Sequence, residues 1–269
     1  MNNLVIVRGA GDLATGIIKR LSDSGFKVIA LEVEKPSMIR RTVSLAQCVY
    51  DGSYSVEGLT SVLINNDCDI VEKVNKTLQD KKIPVIVDPV GEMIKLFKPK
   101  VVVDAILAKK NLGTTIDMAD VVIGMGPGFE AKVDVDAVVE TMRGHDLGRV
   151  IYQGSAIKDT GIPGLIAGEG KARVIKSPIK GIVTPLKNIG DNVVKGEIIL
   201  KVDDVEVEAT LTGVLRGMIM DGYKVKEGFK IADIDPREVS SHCYTVSDKA
   251  RTLGGAVLEA VLKLGNFIS

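Results

Sequence analysis

The chain has 269 residues, 45% of them apolar and 26% charged. That is the balance of one large or two modest globular domains, and it excludes wholesale disorder, collagen and a coiled coil. Lys+Arg and Asp+Glu both number 35, so no global basic field exists to attract nucleic acid or anionic lipid.

Leu4–Val7 is a short apolar run suited to a buried strand. Gly9-Ala10-Gly11 follows, and Asp12 to Asp23 reads as a helix with Leu13, Ile17, Ile18 and Leu21 on one side. Gly25 suits the position after a helix end, and Lys27–Val33 is a second strand. Short connections make this a β-α-β unit with a right-handed crossover. Further on, Asp69–Gln79 reads as helix, and Pro84–Val87, Lys100–Val103 and Val121–Ile123 as strands. Asp134–Arg143 reads as helix and Val150–Tyr152 as strand. Such alternation implies an open parallel sheet covered by helices.

After about residue 170 helical periodicity stops. Gly181, Gly190 and Gly196 recur as Gly213, Gly222 and Gly228, and Val193 and Ile199 as Val225 and Ile231, each shifted by 32. A matched repeat of this kind is two copies of one β-hairpin-rich unit forming a small sandwich, its glycines serving turns at positive φ. Ser247–Leu264 returns to helix, with Ser247 as N-cap. The expected fold class is α/β: a Rossmann-like parallel-sheet domain (1–170), a small all-β domain (171–238), and a C-terminal segment (239–269) whose helix packs back on the first domain.

Cys48, Cys68 and Cys243 lack CxxC spacing, and a scattered odd count argues for free thiols. His145 and His242 are far apart, so no metal cluster is expected. The lack of tryptophan and the few aromatics (five Phe and five Tyr) argue against a base-stacking platform. No signal peptide or membrane span is read, so the expected location is cytoplasmic, with no nucleic-acid or membrane partner. A homodimer is the base-rate oligomer.

Gly9-x-Gly11-x-x-Ala14 follows a strand and opens a helix, the context of a dinucleotide fingerprint. Gly9 permits the turn, Gly11 lets phosphate approach the backbone, and Ala14 lets helix and strand pack closely. Glu32, 21 residues after Gly11, is placed to hold a ribose, with Glu34 a second candidate on the same strand face. Asp12 sets a negative charge at the phosphate end, and Arg40 and Arg41 could instead favour a 2′-phosphate. The alternative is a Rossmann-like fold with a reassigned loop. Gly124, Gly126 and Gly128 follow another strand, either as an anion nest at the sheet's ligand edge or as a tight turn. Lys109 could clamp a ligand there or end a helix in solvent. Arg143 and His145 stand at the end of the expected 134–143 helix. His145 is the one candidate acid or base, and favourable dipole contact explains it equally.

The repeat domain resembles the biotinyl/lipoyl-like barrel-sandwich. The flanks of Lys201 do not match an attachment lysine, so the resemblance implies the fold without the carrier function. Nearly the whole chain resembles one family, the YqeB-type accessory proteins of selenium-dependent molybdenum hydroxylases. The motifs that carry this include Glu34-Lys35-Pro36-Ser37-Met38-Ile39-Arg40-Arg41, Val103-Asp104-Ala105-Ile106-Leu107-Ala108-Lys109-Lys110, Gly124-Met125-Gly126-Pro127-Gly128-Phe129, Glu140-Thr141-Met142-Arg143-Gly144-His145, Gly161-Ile162-Pro163-Gly164, Asp233-Ile234-Asp235-Pro236-Arg237 and Ser247-Asp248-Lys249-Ala250-Arg251. The resemblance implies a maturation role, with an apoenzyme of the xanthine dehydrogenase type as partner. The glycine loop would then hold molybdopterin dinucleotide or NAD(P). An NAD(P)-dependent oxidoreductase supplying reduced selenium and a non-enzymatic scaffold are the alternative functions.

Overall fold

The computed structural model describes residues 3–162 and 164–267, so Pro163 of the Gly161–Gly164 motif lies outside the described residues. The chain forms two compact units, one of 3–36, 44–160 and 246–267, the other of 37–43 and 161–245. The break therefore falls after Thr160 rather than after 170, and the C-terminal helix belongs to the first unit.

The first unit is built on a nine-stranded sheet. Its strands are β1 (Leu4–Arg8), β2 (Lys27–Glu32), β3 (Ser53–Val56), β4 (Leu59–Ile64), β5 (Ile83–Val87), β6 (Val101–Asp104), β7 (Val121–Met125), β9 (Ala137–Val139) and β10 (Val150–Ile151). Short β8 (Glu130–Ala131) and β11 (Gly154–Ser155) pair separately. The order is β10-β9-β7-β6-β1-β2-β5-β4-β3, with β3 and β10 antiparallel to their neighbours and the other pairs parallel. Strands 1, 2, 6 and 7 are near-continuous aliphatic runs because both faces are covered. Ile6, Ile29, Leu31, Ile86, Val102 and Val122 share one core with Ile70 and Val74 of α3 (Ile70–Gln79) and with Met93 and Ile94 of α4 (Glu92–Phe97). The alternate residues Val5, Val7, Val28, Val103 and Ile123, equally buried, point to the opposite face by the period of two. That face takes α1 (Asp12–Asp23) and α5 (Asp248–Leu264). A short α2 spans Cys48–Asp51.

Ser247 caps α5, its hydroxyl accepting from the Ala250 N–H at 3.2 Å. Gly25 closes α1 at φ +89°. The helix expected over 134–143 is absent. Val135, Val138, Val139 and Met142 have helical spacing, but β7 lies alongside and Ala137–Val139 pair with it in parallel register. All three are fully buried, and a β-branched pair between two covered faces is better satisfied as strand. His145 consequently sits in a turn, not at a helix end.

The second unit has two four-stranded antiparallel sheets. Its strands are β12 (Val174–Lys176), β13 (Gly181–Pro185), β14 (Asn192–Val193), β15 (Ile198–Val202), β16 (Val205–Glu208), β17 (Gly213–Met218), β18 (Lys224–Val225) and β19 (Lys230–Asp235). Strands 13, 14 and 15 begin 32 residues before strands 17, 18 and 19. The copies exchange a strand: β14 pairs with β17, and β18 with β13. Val183, Ile199, Leu200, Leu215, Ile231 and Ile234 from both sheets form one core. Gly190, Gly196, Gly222 and Gly228 occupy turns at positive φ. Gly181 and Gly213 instead open strands; a Cβ at Gly213 would stand 2.4 Å from the Asp235 carbonyl oxygen.

Candidate functional site

The order of the large sheet reverses at β1, whose neighbours are β2 and β6. In open α/β sheets a crevice forms at the carboxyl ends of strands at such a switch point. The Gly9–Gly11 turn stands there. Gly9 has φ +98°, and a Cβ on it would lie 2.9 Å from the Ala105 carbonyl oxygen of the loop after β6. Its lack of a side chain is therefore required by that loop as well as by the turn. Gly11 is different: it has an ordinary negative φ as the N-cap of α1, and a Cβ on it would meet nothing within 4 Å. Ala14 is buried against the sheet.

Glu32 is bound to the turn itself. One carboxylate oxygen accepts from the Ala10 N–H and the other from the Val33 N–H, both at 2.8 Å. Burial raises its pKa, and these two hydrogen bonds offset only part of that rise. One amide of the turn is thus already paired with an anion. The Ala10 carbonyl accepts from the Ala46 N–H and the Ser44 hydroxyl, which fixes the turn from the other side. Glu34 lies beyond the end of β2 and is exposed, so the two glutamates do not share a strand face.

The second glycine loop is packed solid. A Cβ at Gly124 would stand 2.5 Å from the Phe129 ring, at Gly126 2.5 Å from Thr141 Oγ1, and at Gly128 2.5 Å from the Lys110 backbone. Gly126 and Gly128 also have φ of +78° and +109°. Turn geometry and close packing account for all three. Lys109 is exposed and bonds Asp159 at 2.7 Å. Arg143 grips Asp248 with both terminal nitrogens, at 2.7 and 2.8 Å. Asp248 opens α5, which brings Arg143 to the same helix layer as α1. His145 is exposed.

Arg40 and Arg41 belong to the second unit and are engaged within it. Arg40, 8% exposed, donates to the His242 carbonyl at 2.8 Å. Arg41 donates to the Met218 carbonyl at 2.9 Å.

Two buried charge networks escape a reading of the sequence. In the first unit, Arg8 lies 3.6 Å from Asp104 across the ends of β1 and β6, both almost fully buried. Thr114 accepts from Arg8 and donates to Asp104 at 2.5 Å. The one sequence signal was a charge ending each apolar strand, Arg8 and Asp104. In the second unit, Arg173 and Arg216 bind Asp233, while Arg216 and Arg237 bind Asp235 at 3.1 and 2.6 Å. Burial alone would raise the Asp235 pKa; hydrogen bonds from Arg237 and the charges of Arg216 and Arg237 outweigh it and bring it to about 2. His242 Nδ1 lies 3.8 Å from that carboxylate. Among the described residues no group of three or more His, Cys, Asp or Glu is placed to hold a metal ion, and no helix is long and apolar enough to cross a membrane. A cavity of about 1320 Å³ in the first unit is lined by Lys95, Lys98, Lys100, Met118 and Phe267 among others, and by none of the glycine-loop residues.

No family model matches the chain. It is 49% identical over 263 residues to a protein of Escherichia coli (strain K12) named "Uncharacterized protein YqeB". That alignment takes in 98% of this chain and 48% of the relative, so the chain spans about half the length of the curated relative it matches. This supports the likeness to YqeB. Among solved structures, the product-bound ectoine utilization protein EutE (DoeB) of Ruegeria pomeroyi aligns with a TM-score of 0.24 at 10% identity, over 86% of this chain and 57% of that one. An aspartoacylase family protein of Mesorhizobium loti aligns with a TM-score of 0.27 at 10% identity, over 86% and 84%.

Proposed function

We propose that the first unit is a Rossmann-like dinucleotide-binding domain. The whole chain then acts as a cytoplasmic accessory protein in the maturation of selenium-dependent molybdenum hydroxylases, with the apoenzyme as partner. One observation carries the binding reading. The second glycine of the fingerprint stands at the switch point, opens a helix, and has empty space where its side chain would be. Backbone N–H groups at the start of α1 can there meet a pyrophosphate, favoured by the helix dipole. Molybdopterin dinucleotide and NAD(P) both carry one. The maturation role and the partner rest on the YqeB likeness. The second unit fits a barrel-sandwich without an attachment lysine: Lys201 lies inside β15, paired with Glu206 at 3.2 Å, and Asp203-Asp204 occupies the hairpin tip.

One observation favours the scaffold instead. Glu32 already takes the Ala10 N–H, and Asp12 adds negative charge at the same helix start.

Native mass spectrometry with NAD, NADP, a cytidine nucleotide and molybdopterin cytosine dinucleotide tests both. Selective retention of the pterin dinucleotide, lost in Gly11→Val, is the expected result. Selective retention of NAD(P) transfers the reading to an oxidoreductase. Retention of none overturns dinucleotide binding. Gly11→Val is a clean probe because the extended N-cap conformation and the open space both admit valine.

A further inference from the structure

We propose that Lys249 is the cation that recognises the phosphate of a ligand seated at Gly11, and so determines specificity for phosphorylated over unphosphorylated ligands. The inference rests on the binding reading above.

Two glycines set how closely α1 and α5 approach. A Cβ at Gly16 of α1 would stand 2.5 Å from the Ala250 carbonyl oxygen of α5, and one at Gly254 would stand 2.6 Å from the Gly16 carbonyl oxygen and 3.0 Å from Arg20 Cβ. The helices therefore touch backbone to backbone. Moving from Ala250 to Gly254 along α5 moves from Gly16 towards Arg20 along α1, so both run in the same sense. Because α1 follows β1, both N-termini emerge at the carboxyl edge of the sheet, where Gly11 lies. Gly16 is one turn beyond Asp12, and Lys249 precedes Ala250, so the first turns of the two helices are neighbours.

The charges that act on Lys249 are Asp12 of α1, Glu140 and Arg143 of the segment after β9, and Asp248 of its own helix. Most are committed. Asp248 is held by both terminal nitrogens of Arg143. The two oxygens of Glu140, 1% exposed, accept from the N–H groups of Met142 and Ile157 at 2.7 and 2.8 Å. Lys249 is half-buried, and among the described residues it makes no hydrogen bond or ion pair of its own. Lys249 is the second residue of α5, at the helix end where the dipole disfavours a cation. Burial, then the Arg143 charge, lower its pKa from 10.5. A phosphate at Gly11 would give the Lys249 ammonium the bond it lacks and raise its pKa, and the lysine's charge would offset Asp12, whose charge otherwise opposes an anion.

The test uses the whole chain with its lysines reductively methylated with ¹³C, followed by NMR as inorganic pyrophosphate is added. The Lys249 methyl resonance is expected to titrate below those of the surface lysines and to shift to higher pKa with pyrophosphate in the wild type, but not in Gly11→Val. In parallel, Lys249→Met is expected to raise the dinucleotide Kd about 10- to 100-fold, with Lys249→Arg intermediate because the guanidinium is broader than an ammonium. Dinucleotide bound equally by wild type and Lys249→Met, with the Lys249 resonance unmoved by pyrophosphate, overturns the inference and leaves the binding reading intact. Failure of the wild type to bind any dinucleotide or pyrophosphate overturns both. Should Lys249→Met not fold, the wild-type titration alone decides.

Discussion

The two glycine loops of the first unit look alike in sequence and differ in what their glycines are for. At Gly124, Gly126 and Gly128 every added Cβ would collide with protein at 2.5 Å. At Gly11 it would meet nothing. Glu32 pins the first loop through the Ala10 N–H, while the second is held by backbone, the Gly126 N–H donating to the Val139 carbonyl at 2.8 Å. A glycine that fills a packing constraint needs no ligand to explain it. A glycine in open space with ordinary dihedrals has no such internal reason, and that contrast separates the two loops as candidate sites.

Substitutions sharpen the contrast in order of size. Gly128→Ala should cost most, about 3 kcal/mol, the sum of a left-handed penalty and overpacking against the Lys110 backbone; urea unfolding measures it, and a loss below about 1 kcal/mol would break the packing account. Glu140→Gln should follow at about 2 kcal/mol, since the amide leaves one of two part-buried N–H groups facing a donor. Glu32 gives a smaller, pH-linked effect. Its folded pKa is raised above the ordinary 4.5, so the folded state holds its proton longer than the unfolded one. Stability should therefore fall as pH rises from about 4.5 to the folded value, and Glu32→Gln should flatten that slope in melts across the acid range. Smallest is Gly11→Val, about 1 kcal/mol for the loss of a favoured N-cap residue, while the dinucleotide reading expects it to abolish ligand binding.

Much of the first unit was legible. Continuous aliphatic runs marked β1, β2, β6 and β7, and a single apolar stripe marked α1, because strands covered on both faces and a helix covered on one leave those patterns in any sequence. The 32-residue repeat was legible from its turn glycines, since a positive φ restricts the residue type wherever it occurs. The 134–143 segment was not: its valines satisfy helical spacing and strand burial alike, and only β7 beside it decides. Nor was the pairing of Arg8 with Asp104, of Arg216 with Asp233 and Asp235, or of Arg143 with Asp248, because the partners are brought together by sheet order and helix packing, not by spacing. Glu32 is visible in the sequence as a carboxylate at the end of β2, but its commitment to the Ala10 N–H depends on a turn geometry that composition does not carry.

Local preference set the alternation of strand and helix, the glycine turn opening α1, the turn glycines of the repeat and the cap of α5, all of which depend on neighbours within one or two turns of chain. Tertiary structure alone decided which glycines are crowded and which is open, that α5 returns to lie beside α1, and that Lys249 comes to stand near Asp12. The last two outcomes depend on backbones meeting across more than two hundred residues, where no local preference acts and only packing and charge burial choose.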